Sequence, residues 1–144
     1  MRWAVVQFPG SNCDQDCLYL LKEVLKQEAY YVWHKDSDLQ GAEGIILPGG
    51  FSYGDYLRCG AIAKLSPVMK SVIEAAGQGK IVVGICNGFQ VLAEAHLIPG
   101  ALTRNHELHF LCRDQKLTIE NTNTAWTSSF TQGQEILIPL KNGE

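Results

Sequence analysis

The sequence lacks any long hydrophobic run, and its apolar stretches fall far short of the ~20 residues that a membrane span needs. It also lacks an excess of positive charge, since 12 Lys and Arg against 15 Asp and Glu give a net charge of −3. No GxxxxGK[ST] pattern is present, so there is no P-loop for ATP. These absences argue against a nucleic-acid binder, a membrane-surface protein and a P-loop enzyme.

Cysteines are few and show no paired spacing. There are five, which is an odd number, and no two form a Cys-x-x-Cys motif. This argues against a disulfide framework and predicts a reducing, cytoplasmic compartment. Cys13 and Cys17 are four residues apart and would share a helix face, but no second pair completes a zinc set. We therefore predict partly buried thiols and no metal site.

Short apolar runs alternate with segments of helical periodicity, which predicts an α/β fold with a mostly parallel sheet and helices on both faces. Ser11 and Asn12 are good caps for the first helix. The length suits one domain over residues 1–144. The predicted strands are 3–8, 30–33, 44–47 and 81–85, and the predicted helices are 14–27, 67–76 and 89–95.

The pattern changes after Pro99. Residues 117–120 and 135–140 read as strands with polar alternation, and we interpret them as antiparallel additions at one edge of the sheet. Only four residues follow Leu140, whereas a doubly wound sheet usually continues further. We therefore expect the C-terminal portion of the domain to be missing from this chain.

The stretch from Gly84 to Gly88 places a lone cysteine, Cys86, between two glycines at a predicted strand-to-helix corner. Such a corner projects its central side chain above the carboxyl edge of the sheet, and glycines on either side allow close backbone packing. The helix N-terminus favours an anion, and the Asn87 N–H could stabilise an oxyanion. The pentapeptide alone leaves two interpretations open: a nucleophile, or a small buried hydrophobic residue.

The third predicted strand ends in Pro48-Gly49-Gly50-Phe51, also at the carboxyl edge where such sheets bind ligands. Two adjacent glycines expose backbone N–H groups that could provide a second oxyanion donor. By itself this is an ordinary turn. Together with the corner at Cys86, it favours a nucleophilic site.

The motif Gly84 to Gln90 resembles the nucleophile motif of the class I (triad) glutamine amidotransferases. Residues 8–14, 47–58 and 60–63 are similar to one branch, the glutaminase subunits of phosphoribosylformylglycinamidine synthase. The likeness covers essentially the whole chain. It implies a flavodoxin-like fold in which Cys86 attacks the side-chain amide of glutamine, forms a thioester and releases ammonia.

The resemblance also implies roles for the neighbours of the nucleophile. The backbone N–H of Gly50 or Phe51, with that of Asn87, would form the oxyanion hole. Gln90 would help to hold glutamine, although a plain amide on the helix surface stays an equal alternative. Tyr53 to Arg58 would be a docking or signalling loop, or simply an ordinary loop.

The partners implied by the resemblance are a large synthetase subunit, which binds ATP and Mg²⁺, and a small third subunit. The chain itself would carry no cofactor. The triad of the family also needs a His-Pro-Glu motif, and none of the four histidines here precedes Pro and Glu. We therefore expect little glutaminase turnover from this chain alone. An inactive docking or regulatory module, or another cysteine hydrolase on a similar fold, stays open.

Overall fold

The computed structural model describes residues 1–144, and the larger of its two sheets has four parallel strands. The strands lie in the order β2-β1-β3-β4, and every pairing is parallel. This is the flavodoxin-like order, whose switch point lies between β1 and β3, so the predicted fold class is confirmed. The strands are β1 (Arg2–Gln7), β2 (Glu28–Trp33), β3 (Gly44–Leu47) and β4 (Ile81–Gly84).

All three predicted helices are present, although the first α-helix is shorter than the predicted segment 14–27. They are α1 (Asp14–Tyr19), α2 (Pro67–Gly77) and α3 (Asn87–Glu94). A π-helical turn, Leu20–Val24, continues α1, and Lys26 ends it with a φ of +50°. Two 3₁₀ segments, Ser52–Asp55 and Ala63–Leu65, lie between β3 and α2. None of the helices combines the length and apolar character needed to cross a bilayer.

Helices cover both faces of the sheet, as the sequence predicts. Successive strand residues point to opposite faces, so Trp3 and Val5 belong to one core and Ala4 and Val6 to the other. The first core is closed by α1 and the π-helical turn, and the second by α2 and α3. The helix residues packed there are Cys17 and Leu21 on the first face, and Val68, Met69, Val72, Val91 and Leu92 on the second.

Contacts divide the chain into two compact units, Met1–Thr103 and Arg104–Glu144. The second unit is an antiparallel pair of strands, β5 (Leu111–Thr118) and β6 (Glu135–Asn142). The interpretation of these strands as additions to the edge of the main sheet is wrong, because they form a sheet of their own. The prediction of one domain over residues 1–144 stays a prediction.

Candidate active site

Cys86 sits on a strained corner between β4 and α3. Its backbone has φ +52° and ψ −109°, a conformation that side-chain-bearing residues rarely adopt. Such strain costs on the order of 1–3 kcal/mol and persists only where the surroundings impose it. The side chain is exposed, so the interpretation of Cys86 as a buried hydrophobic residue is wrong.

The two glycines that flank Cys86 allow the corner to pack against the sheet. A Cβ placed on Gly88 would lie 1.9 Å from the Leu47 carbonyl oxygen, and one on Gly84 would lie 2.5 Å from the Gly88 carbonyl oxygen. No side chain fits at either distance. The predicted reason for glycine at both positions, close backbone approach, is confirmed.

The loops after β1 and β3 meet beside the nucleophile, at the switch point of the sheet. Ser11 and Gly50 form an isolated antiparallel bridge, in which the Asn12 N–H donates to the Gly49 carbonyl oxygen at 3.1 Å. A Cβ on Gly49 would lie 3.4 Å from Cys86 Cβ and 3.5 Å from Cys13 Sγ. The predicted turn and the predicted nucleophile are therefore neighbours in space.

The predicted oxyanion donors differ in what they bond. The Phe51 N–H donates to the Gly10 carbonyl oxygen at 2.9 Å as part of this bridge. The N–H groups of Gly50 and Asn87 have no acceptor within the chain. Of the alternatives Gly50 and Phe51, the structure therefore leaves Gly50 available, together with Asn87 at the first position of α3.

One expectation and one open alternative drawn from residue type are wrong. Ser11 and Asn12 do not cap α1, because the capping position is Cys13 and no side chain bonds there. Instead the Ser11 hydroxyl oxygen accepts a hydrogen bond from the Phe8 N–H at 3.1 Å. Gln90 is not a surface amide, since it is buried and its Oε1 accepts from Asn87 Nδ2 at 3.0 Å. The Ser11 side chain therefore stabilises the loop after β1 and does not cap α1.

Cys13 and Cys17, the two cysteines at the first helix, are poor nucleophiles. Burial raises the pKa of the Cys17 thiol to about 11, with a further contribution from Cys13. Burial likewise raises the pKa of the Cys13 thiol, assisted by the charge of Asp16. Both remain protonated at neutral pH, and a thiol is far less reactive than a thiolate.

His34 lies at the opposite edge of the main sheet from the strand that precedes Cys86. It follows β2, and β2 and β4 are the two outer strands of the sheet, about 14 Å apart at normal strand spacing. Its Nδ1 and the Tyr53 hydroxyl share a hydrogen bond of 2.5 Å, and Tyr53 also bonds Ser66. Burial, with Lys35 nearby, lowers the pKa of His34. The residue serves as an anchor for the loop after β3.

Sequence reasoning missed the second anchor of that loop, the carboxylate of Glu94. Arg58 donates to both Glu94 oxygens, at 2.8 and 3.0 Å, and Lys64 lies 3.4 Å away. The Glu94 side chain is only 10% exposed. A Glu-Arg pair 36 residues apart carries no local signal, so only the folded chain could reveal it.

The Arg58 hydrogen bonds, more than the nearby Lys64, hold the pKa of Glu94 below its usual range. A lowered carboxyl pKa stabilises the fold above the unfolded pKa, and that stability is lost as pH falls through the folded value.

We expect Glu94→Gln to reduce the free energy of unfolding at pH 7 by about 1 kcal/mol, and we expect a smaller reduction near pH 3. Urea denaturation at both pH values measures this. Glu74→Gln, at an exposed carboxylate in no ion pair, is the control; equal losses for both variants would contradict the prediction.

A flavodoxin-like sheet with an exposed cysteine on a strained strand-to-helix corner, beside the Gly49-Gly50 turn, defines a class: α/β domains with a nucleophile elbow. The chain belongs to the family of CobB/CobQ-like glutamine amidotransferase domains, whose model matches residues 1–144.

The chain is similar in sequence and in structure to several proteins of this family. The chain is 56% identical over 144 residues to the phosphoribosylformylglycinamidine synthase subunit PurQ of Trichormus variabilis, and 58% identical to that of Leifsonia xyli. These alignments cover 100% of this chain but 64% and 62% of those proteins. A solved structure of PurLQS from Thermotoga maritima matches with a TM-score of 0.90 and 46% identity, over 99% of this chain and 66% of that one. The chain thus spans less than two thirds of these relatives.

Proposed function

We propose that this chain is the glutamine-hydrolysing part of a phosphoribosylformylglycinamidine synthase. The observation that carries the proposal is the exposed Cys86 on its strained corner, beside Gly49 and two unbonded backbone N–H groups. Cys86 Sγ attacks the side-chain amide carbon of glutamine, and the oxyanion accepts hydrogen bonds from the N–H groups of Gly50 and Asn87. The C–N bond breaks, ammonia leaves, and water hydrolyses the thioester to glutamate.

The ammonia serves a second, ATP-dependent reaction on a partner. We propose a large synthetase subunit that holds ATP and Mg²⁺, a small third subunit, and no cofactor in this chain. The matched structure is of an assembly, PurLQS, which supports a complex of this kind. The loop from Tyr53 to Arg58 is a candidate contact surface, since Tyr56 is 83% exposed and Leu57 66%. None of the five cysteines forms a disulfide, which fits a reducing cytoplasm.

A second candidate is a docking or regulatory module without chemistry. The observation that favours it is the lack of a His-Pro-Glu motif in these 144 residues, together with the engagement of His34 by Tyr53. A docking module has no need of a strained, exposed cysteine between two tightly packed glycines. The glutaminase proposal accounts for that feature and is preferred.

Labelling with 6-diazo-5-oxo-norleucine, an electrophile shaped like glutamine, separates the two candidates. We expect one covalent adduct, mapped to Cys86 by peptide mass spectrometry, and none in Cys86→Ser. Cys112→Ser is the matched control, because Cys112 is the other exposed cysteine and should not affect the adduct. An unlabelled wild-type chain would favour the docking module, and equal labelling of Cys112 would show unselective thiol chemistry.

A further inference from the structure

Asn87 has a buried side chain directly after the nucleophile. Asn87 is only 2% exposed, although it is the first residue of α3 and the residue before it, Cys86, is exposed. A buried amide is tolerated when its donors and acceptors are bonded, and costs 1–3 kcal/mol when one is left without a partner. The partners of Asn87 therefore show what the side chain is for.

The side chain makes three hydrogen bonds to two different elements. Its Oδ1 accepts from the Ser52 N–H at 3.0 Å, and its Nδ2 donates to Asp55 Oδ1 at 3.2 Å and to Gln90 Oε1 at 3.0 Å. The amide can face only one way, because a backbone N–H can only donate and a carboxylate can only accept. Both hydrogens of Nδ2 are used.

The first element held by Asn87 is a strained loop. Tyr53, Gly54 and Asp55 all have positive φ, between +53° and +71°. Non-glycine residues persist in that region only where surrounding contacts impose it. Two hydrogen bonds from the Asn87 side chain hold this loop at both ends, at Ser52 and Asp55. Gly50, the proposed oxyanion donor, lies two residues before Ser52, between its bridge to Ser11 and the loop that Asn87 holds.

The second element is Gln90, one helical turn further along α3. Because its Oε1 accepts from Asn87, the carboxamide is held in one orientation, with the two Nε2 hydrogens available to another molecule. A fixed donor suits the acceptor oxygens of an amino-acid substrate, and glutamine carries both a carboxylate and an amide oxygen.

We propose that the Asn87 side chain is a positioning residue that orients both the Gly50 N–H and the Gln90 amide toward a glutamine-like substrate bound at Cys86. This inference rests on the proposed function and adds a role for the side chain, distinct from that of the Asn87 backbone N–H. It does not alter the reactivity of the sulfur itself.

The test compares two electrophiles in the 144-residue chain. Diazo-oxo-norleucine needs the substrate contacts, whereas iodoacetamide reports only the accessibility and reactivity of the Cys86 sulfur. We expect Asn87→Leu to slow diazo-oxo-norleucine labelling by about 10- to 100-fold, the scale of a small misplacement, while iodoacetamide labelling of Cys86 changes little. Asn105→Leu is the matched control, since Asn105 also donates two bonds from its amide, to His109 and Asn142; its labelling ratio should equal that of the wild type.

Asn87→Asp covers the case in which Asn87→Leu does not fold. It keeps an acceptor for the Ser52 N–H but loses the donors to Asp55 and Gln90, so the same fall in the labelling ratio is expected. Adding Asp55→Asn restores a donor opposite residue 87 and should recover part of the rate. An unchanged ratio in either single variant, an equal loss with both electrophiles, or no recovery in the double variant would overturn the positioning role. If the wild type reacts with iodoacetamide but not with diazo-oxo-norleucine, the proposed function itself fails.

Discussion

Replacing Gly88 with alanine is expected to unfold or severely destabilise the protein. The added Cβ would lie 1.9 Å from the Leu47 carbonyl oxygen and 2.9 Å from Leu47 Cβ. Both neighbours belong to the central β3 strand, whose Leu47 is fully buried, so neither can move away cheaply. We expect a loss of about 3 kcal/mol or more in the free energy of unfolding, the upper range for overpacking.

Gly77→Ala provides the control for this effect. Gly77 is also a helical glycine, at the end of α2, but a Cβ there would meet nothing within 4 Å. Alanine should therefore leave stability unchanged or raise it by up to about 1 kcal/mol. Urea denaturation of the wild type and the two variants measures both changes. A Gly88→Ala protein as stable as Gly77→Ala would contradict the close packing of the elbow.

The 144-residue chain is expected to accept a covalent label on Cys86 and yet to hydrolyse glutamine very slowly. A general base that takes and returns the proton contributes typically ~10²–10⁴-fold to such reactions. None of the four histidines stands in a His-Pro-Glu motif, and His34, which follows the outer strand β2, is bonded to Tyr53. The strained thiol can react once with an activated electrophile, but repeated turnover needs proton transfer at two steps.

The measurement is glutamate release under saturating glutamine, with the full-length Trichormus variabilis relative as the reference. We expect at least a ~10²-fold lower rate for the 144-residue chain, at comparable labelling of the nucleophile. Cys86→Ser sets the background of the assay. Glutamate release at the rate of the reference would contradict the prediction and show that these 144 residues supply a general base.

Local signals in the sequence were sufficient for the strands of the main sheet and for the corner at Cys86. Apolar runs of four to six residues bounded by Gly and Pro predict β1, β3 and β4, and the observed bounds of β3, Gly44–Leu47, are those predicted. Glycines two positions on either side of Cys86 predict the corner, because a tight strand-to-helix turn leaves no room for side chains there. This steric constraint involves only the five consecutive residues from Gly84 to Gly88.

Contacts between residues far apart in the chain could not be predicted from local patterns in the sequence. The residues of β5 from Leu111 to Lys116 are mostly polar, so only its end was predicted, and its pairing partner could not be inferred from periodicity. The choice between Gly50 and Phe51 as donor depends on a bond from Phe51 to Gly10, 41 residues away. The sequence could not decide whether Gln90 is a surface amide, because its burial depends on contacts made in the folded chain.

By itself the sequence determined a parallel α/β sheet and a cysteine on a glycine-flanked corner, since both follow from steric and apolar patterns over a few neighbouring residues. Only the tertiary structure decided that Asn87, His34 and Glu94 hold the loop after β3. Their partners lie between 19 and 36 residues away in the chain, and hydrogen bonds across such separations form only when the fold brings the atoms within about 3 Å.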